Sequence, residues 1–231
     1  MKTNRPVFAA VEPALVPFIT QREGEGAAPD NLVILQHSTG PRLYYQDEDP
    51  RDRDLRGVLL ARCSFNPVDS QGRPTGKPLW KMMHPYRQIM CMQAMRCQVC
   101  QQPARTPLGY LFLAGPADHD PMQPTMLTNQ PPVCVKHARA ATRLCPHLAG
   151  RPMVFLATGF PLYGVHGTLY GLGTDGVKVI DQPEAPLPFR HPNLPTFLAS
   201  QLVRKLTSFR VVDLDEALQQ LTVFSAQSPA R

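Results

Sequence analysis

The first half of the chain alternates between apolar runs and polar segments in a way that predicts short elements. "NLVILQ" at 31–36 and "GVLLARCSF" at 57–65 are rich in Val, Ile and Leu and are bounded by polar stretches, which is typical of β-strands. The spacing becomes helical at 85–96, behind a proline suited to a first turn. "LGYLFLAG" at 108–115 then predicts a strand and "VKHARAATRLC" at 135–145 a short helix.

The second half follows the same alternation of short elements. "RPMVFLATGF", "HGTLYGLG", "GVKVID" and "FRVVD" predict strands separated by glycine turns, and "NLPTFLASQLVRKLTS" at 193–208 predicts a helix. Asp213 and Glu216 form a capping box for a last helix, "LDEALQQL". "GLGTDG" at 171–176 has the letters of a dinucleotide-binding motif, but a strand pattern follows it where that motif needs a helix, so it predicts a hairpin turn.

These elements together predict the mixed α+β class. Spread along the chain, 26 prolines favour short elements and many turns over a long helical bundle. We expect a β-rich segment at 1–84, a metal-binding module at 85–150 and an α+β segment at 151–231. The alternative is that all three form one compact domain.

Composition sets the expected compartment and the classes of partner. Glu12 and three prolines interrupt the apolar N-terminal stretch that a signal peptide would need, and no 18-residue apolar span occurs elsewhere, so we expect a cytoplasmic protein without a membrane partner. A preference for arginine, alanine and proline suggests a bacterial genome of high GC content. The formal charge of +6 permits contact with phosphate, although no run of basic residues marks a nucleic-acid tail.

Four potential metal ligands fall into two short motifs. Cys97 and Cys100 form a C-x-x-C pair, and Cys134 and His137 form a C-x-x-H pair later in the chain. A two-residue spacer lets both ligands of a pair point at one ion, and structural zinc takes four such ligands in a tetrahedron. A cysteine pair after a helix and a second pair at the start of another helix is the layout of a treble-clef finger. We therefore predict a Zn²⁺ site with short strands and helices around a treble-clef-like module.

Two other interpretations of the cysteines compete with zinc. A thioredoxin-like redox pair should follow a strand and open a helix, whereas Cys97 and Cys100 follow a predicted helix and precede a turn. The remaining alternative is a set of buried thiols. Cys145 and His147 are surplus to one tetrahedral ion. They join Cys63, His84 or Cys91 at a second site, serve local packing, or supply His147 in place of His137.

The segment between the two motifs resembles the HNH (His-Me finger) nucleases. Asp118, His119 and Asn129 follow the first cysteine pair and precede Cys134, in the order of the zinc-bearing members of that family. The resemblance implies a general base at His119, a loop-holding role for Asn129, and Mg²⁺ or Mn²⁺ bound with help from Asp118. The chain departs from the family where His137 replaces a cysteine and Ala138 follows it.

The predicted helix at 135–145 also carries a basic stripe. Lys136, Arg139 and Arg143 share one face, which suits phosphate contacts that strengthen binding without reading the base sequence. Three hypotheses follow: a zinc-stabilised module that binds protein or nucleic acid, a metal-dependent nuclease using His119, and an enzyme with its site elsewhere, near His166 or near Trp80 and His84. Whether the protein is an enzyme is left open at this point.

Overall fold

The computed structural model describes residues 15–27, 31–116, 123–144, 148 and 152–227. These residues form both sheets and helices, as the sequence predicts. The helices are α1 (Pro85–Ala94), α2 (Val135–Leu144) and α3 (Leu214–Gln227), and none of them has the length and apolar character needed to span a membrane. In chain order the strands are β1 (Thr20–Arg22), β2 (Leu32–His37), β3 (Gly40–Tyr45), β4 (Leu59–Leu60), β5 (Pro78–Met83), β6 (Arg105–Thr106), β7 (Gly109–Ala114), β8 (Met126–Thr128), β9 (Met153–Gly159), β10 (Leu162–Gly173), β11 (Gly176–Asp181), β12 (Leu187–Pro188), β13 (Phe197–Leu206) and β14 (Ser208–Val212).

The largest sheet has the order β11-β10-β13-β4, with β12 also pairing with β10 and β8 with β13. Every pairing in it is antiparallel except the one between β13 and β4. The sheet takes β4 from segment 1–84, β8 from 85–150 and its other strands from 151–231. The division of the chain into three segments stays a prediction, and the largest sheet draws on all of them.

A second sheet, of order β14-β9-β7-β6, lies under helices α2 and α3, and two short ribbons, β1–β5 and β2–β3, complete the described strands. The apolar face of this second sheet supplies much of one buried cluster, which also includes side chains of α2 and α3. Cys97 belongs to the same cluster and is fully buried. One of the predicted metal ligands is therefore part of the core.

The prediction of a helix at 193–208 is wrong, because most of this segment forms strand β13. The buried side chains Phe197, Ala199 and Leu202 pack into one core cluster although the last two are three residues apart. The pairing with β10 explains the spacing: Gln201 pairs with His166, and Ala199 with the next residue, so the register shifts across Ser200. Because of this irregularity, the buried side chains of the strand no longer alternate every second residue and instead have a spacing that resembles that of a helix. Pairing within the sheet outweighs the intrinsic helix propensity of the segment.

Helix α1 is joined to β13 by the side chain of Gln88. Leu202 lies between the part of β13 that pairs with β4 and the part that pairs with β8, so its backbone has no strand partner on that side. Gln88 supplies one: its Oε1 accepts from the Leu202 N–H at 3.0 Å, and its Nε2 donates to the Leu202 carbonyl at 2.9 Å. The same Nε2 donates to the Asn129 carbonyl at 2.7 Å. The amide thus satisfies three backbone groups, of which the two of Leu202 are buried.

A second connection between α1 and β13 comes from Arg204. Its guanidinium donates twice to the Met92 carbonyl, at 3.1 and 2.8 Å, and once to the Phe160 carbonyl, at 2.6 Å. Burial lowers the pKa of Arg204 to about 10. A cation at the carboxyl end of a helix also interacts favourably with the helix dipole. Arg204 therefore stabilises the last turn of α1.

A buried ion pair connects the N-terminal strand to the same helix. Glu25, which follows β1, pairs with Arg87 of α1, and both side chains are at most 3 % exposed. Glu25 Oε2 also accepts from the Arg22 backbone N–H at 2.8 Å. Hydrogen bonds from Arg87 and from this N–H lower the pKa of Glu25 against the opposing effect of burial. Removing either partner would leave an uncompensated buried charge.

We predict that Gln88→Leu lowers the free energy of unfolding by about 2–4 kcal/mol, because a leucine of similar size leaves both buried backbone groups of Leu202 and the partly buried Asn129 carbonyl unpaired. Urea denaturation monitored by circular dichroism measures the change. The matched control is Gln219→Leu, at an exposed helical glutamine of α3. Equal stability of the two variants would show that Gln88 does not hold α1 to the sheet.

Candidate metal centre

The first ligand pair lies on a tight turn that begins where α1 ends. Met95 caps the helix in the left-handed conformation, with φ of 51°, and Cys97 follows two residues later. Within the turn, the Gln101 N–H donates to the Cys97 carbonyl and the Cys97 N–H to the Gln102 carbonyl, both at 2.8 Å. Gln101 also has a positive φ, of 63°. The chain therefore reverses within C-x-x-C, which brings both thiols to one side.

The second ligand pair lies at the start of α2. The Cys134 carbonyl accepts from the N–H groups of His137 and Ala138, at 3.0 and 3.1 Å, so Cys134 occupies the position just before the first helical turn. His137 then lies in that first turn. The preceding residue, Val133, donates its N–H to the Leu111 carbonyl of β7 at 2.9 Å. The entry to α2 is thus held against the second sheet.

Gln98 connects the two ligand pairs through the backbone. Its N–H donates to the Pro132 carbonyl at 3.0 Å, and its side-chain Nε2 donates to the Pro131 carbonyl at 2.8 Å. Gln98 is buried. The turn that carries Cys97 and the approach to Cys134 are therefore in direct contact, although 33 residues separate the pairs in sequence.

The ligand atoms of the four residues converge. The three Sγ atoms and the His137 ring nitrogen all lie within 4.8 Å of one another. Cys100 Sγ is 3.8 Å from Cys134 Sγ, and Cys134 Sγ is 3.2 Å from His137 Nδ1. Two thiolates bound tetrahedrally at about 2.3 Å from one zinc ion would be about 3.8 Å apart. The geometry therefore fits a single four-coordinate ion.

The protonation of the thiols favours metal binding at this cluster. A hydrogen bond from Cys134 lowers the pKa of Cys97, and the same contact raises the pKa of Cys134. Burial raises the pKa of Cys100. Three thiols in contact thus share one readily formed thiolate, and a divalent cation would stabilise the others in their deprotonated form.

The other cysteines and histidines do not form a second cluster within the described residues, where the group at Cys97 is the one set of three or more candidate ligands. Cys91 is fully buried on α1, and burial raises its pKa to about 12. The pKa of Cys63 is likewise raised by burial. Cys145 and His147, the predicted extra ligands, lie outside the described residues, so their role stays a prediction.

The residues of the nuclease hypothesis are described in part. Asp118 and His119 lie outside the described residues, so that hypothesis stays a prediction. Asn129 follows β8, and its Nδ2 donates to Gln201 Oε1 at 2.7 Å. With its carbonyl bound by Gln88, Asn129 thus ties the loop after β8 to α1 and β13. These contacts give Asn129 a structural role, which is to hold the loop after β8, whether or not the protein is a nuclease.

The three basic residues of α2 are all exposed. Arg139 forms an ion pair with Asp215 of α3, at 2.9 Å. Lys136 and Arg143 make no hydrogen bond or ion pair with a described residue. Two of the three predicted cations thus have no ion-pair partner in the described part of the chain, whereas Arg139 connects α2 to α3. Helical spacing alone could not reveal that contact.

The other sites that the sequence suggests are at His84, His166 and Trp80. His84 is fully buried, stacks on Phe65 and shares a hydrogen bond with the Ser64 carbonyl at 3.1 Å. Burial lowers the pKa of His84 and that of His166, so both favour the neutral ring. Trp80 is partly exposed on β5. Among the described residues, neither histidine ring is hydrogen-bonded to a nucleophile or to a carboxylate.

Comparison of the chain with protein-family models, with curated proteins and with solved structures finds no match. The metal centre is therefore inferred from the convergence of the four ligand atoms and from the contacts that hold them.

We predict that Cys100→Ser removes bound metal, from about one equivalent to almost none, because serine is a poor ligand for a soft divalent ion. The melting temperature should fall by about 10 °C or more, since metal binding contributes to the free energy of folding. Elemental analysis and calorimetry of the purified protein measure the two effects.

Cys63→Ser is the control, at a half-buried cysteine outside the cluster, and it should keep both the metal and the melting temperature of the parent. A parent protein that carries no metal and melts at the same temperature with and without added zinc would contradict the metal centre.

Proposed function

We propose that the protein is a zinc-stabilised binding protein, and that Cys97, Cys100, Cys134 and His137 hold structural Zn²⁺ in a treble-clef-type module. The convergence of the four ligand atoms carries the proposal. Three thiolates and one imidazole form a soft donor set that favours zinc over Mg²⁺ or Ca²⁺. The protein fills all four positions, which is typical of a structural rather than a catalytic site.

The order of elements supports the treble-clef assignment. The turn with Cys97 and Cys100 is followed by the antiparallel pair β6–β7, and the second ligand pair enters at the first turn of α2. A zinc ion would then bind the turn to the helix beside the second sheet. Its energetic effect would be to fix the orientation of α2 relative to that sheet.

The orientation of α2 matters because its exposed face carries the basic stripe of Lys136, Arg139 and Arg143. We assign this face to the phosphate backbone of a nucleic acid. The Arg139–Asp215 ion pair is solvent-exposed on both sides, so it contributes little to stability and a phosphate can replace the carboxylate. Phosphate contacts of this kind give affinity that depends on salt and not on base sequence.

We predict that the double variant Lys136→Gln/Arg143→Gln weakens binding to a 20-base-pair duplex and lowers the slope of log K against log salt by about 2, one for each phosphate that the variant no longer neutralises. Fluorescence anisotropy at several salt concentrations measures both quantities on the zinc-loaded protein.

The matched control is Arg105→Gln/Lys178→Gln, which removes the same charge from two exposed strand positions. If the slope falls equally in both double variants, the effect belongs to net charge and not to α2. If the parent does not bind the duplex, the nucleic-acid role is wrong while the zinc site is unaffected, because metal content is measured separately.

A further inference from the structure

A second basic region lies in a cleft that three segments outside α2 form. We call it the basic cleft. It is formed by the β2–β3 turn with the start of β3, the loop before β4 and the segment before β13, and its volume is about 270 Å³. The lining residues are Thr39, Gly40, Pro41, Arg42, Arg56, Gly57, Val58, Phe189, Arg190, His191, Leu194 and Pro195. Three arginines and a histidine are among them, and none of these twelve residues is acidic.

Arg42 is held in place by the loop before β4. Its Nη2 donates to the Gly57 carbonyl at 3.1 Å. Arg53 Nη1 donates to the same carbonyl at 2.9 Å, while Arg53 Nη2 donates to the Leu43 carbonyl at 2.7 Å. Gly57 has a positive φ of 78°, and a Cβ there would lie 3.1 Å from the Arg42 guanidinium. The loop therefore fixes one side of the Arg42 guanidinium and leaves the other N–H groups of Arg42 for a ligand.

Arg56 is also oriented before any ligand arrives. Its guanidinium lies 4.6 Å from the centre of the Phe189 ring, a stacking contact that restricts its plane. Asp54 stabilises the conformation of the loop, because its Oδ1 accepts from the N–H groups of Arg56 and Val58, both at 2.9 Å. The Asp54 carboxylate is 3.7 Å from the Arg56 guanidinium and offsets part of its charge. Asp54 is buried and does not line the cleft.

The opposite wall carries Arg190 and His191. Arg190 is exposed and makes no hydrogen bond or ion pair with a described residue. The His191 Nδ1 accepts from the Asn193 N–H at 3.2 Å, which leaves Nε2 as the donor nitrogen of the ring. Two backbone hydrogen bonds fix this wall. The His191 N–H donates to the Pro188 carbonyl at 2.9 Å, and the Leu194 N–H donates to the His191 carbonyl at 3.1 Å.

We propose that the basic cleft binds the phosphate group of a small phosphorylated molecule. Guanidinium groups match the oxygens of phosphate in pairs, and arginine is the residue that most often supplies such planar recognition. Val58, Phe189 and Leu194 give the cleft apolar surface beside the cations, which suits the non-phosphate part of a metabolite. The volume of the cleft fits a small ligand, whereas a nucleic-acid backbone follows an extended surface such as the face of α2.

The test is isothermal titration calorimetry of the full-length zinc-loaded protein with pyrophosphate as the probe. Binding should be saturable with one site, and Arg190→Gln should weaken it about tenfold, the effect of removing one charge-assisted hydrogen bond. Arg190 is the chosen position because its side chain holds no other described residue, so the variant keeps the fold. Arg105→Gln, which removes an exposed arginine outside the cleft, should bind as the parent does.

Three results would overturn the proposal. The first is no heat of binding at millimolar pyrophosphate. The second is equal weakening in Arg190→Gln and Arg105→Gln, which would assign the effect to net charge. The third is tighter binding of citrate or of a DNA duplex than of pyrophosphate, with the same weakening in Arg190→Gln, which would assign the cleft to a carboxylate or to a nucleic acid. Each is independent of the α2 variants.

Discussion

The attachment of helix α1 to strand β13 is the constraint from which the position of the metal centre follows. Gln88 replaces a missing strand partner at Leu202, and Arg204 binds the carbonyl of Met92 near the end of the helix. Both contacts are buried and join residues more than 110 positions apart in sequence. Because the last turn of α1 is fixed, the turn that carries Cys97 begins at a defined place relative to the sheets.

Hydrogen bonds outside the four ligand atoms also connect the two ligand pairs. Gln98 bonds to the backbone just before Cys134, and the N–H groups of Phe18 and Ile19 donate to the carbonyls of Val99 and Gln98, at 3.1 and 3.2 Å. The N-terminal segment is itself held to α1 by the Glu25–Arg87 pair. A metal ion at the four ligands would therefore add to backbone and side-chain contacts that join three parts of the chain. Each such contact reduces the ordering entropy that metal binding has to offset.

Sequence reasoning succeeds where the signal is local and fails where distant partners decide. The spacing of Cys97, Cys100, Cys134 and His137 requires only short turns, and the four ligand atoms do converge. The helix predicted at 193–208 is wrong because an extra residue at Ser200 makes the pattern of a strand look helical. The pattern did not predict strands β3 and β5, and β5 has mostly exposed side chains, so it carries little burial signal. The basic cleft has no sequence signature because its arginines come from three separate segments of the chain.

The distribution of ion pairs explains why a modest net charge can still produce two basic surfaces. Many arginines serve the fold: Arg53 pairs with Glu48, Arg62 with Asp47 and Asp52, and Arg73 with Asp69. These pairs occupy most of the acidic groups near them. The cations without such partners among the described residues include Lys136 and Arg143 on α2 and Arg42 and Arg190 in the basic cleft. No ion pair within the described fold depends on these four cations, so binding an anion at these positions costs the fold little.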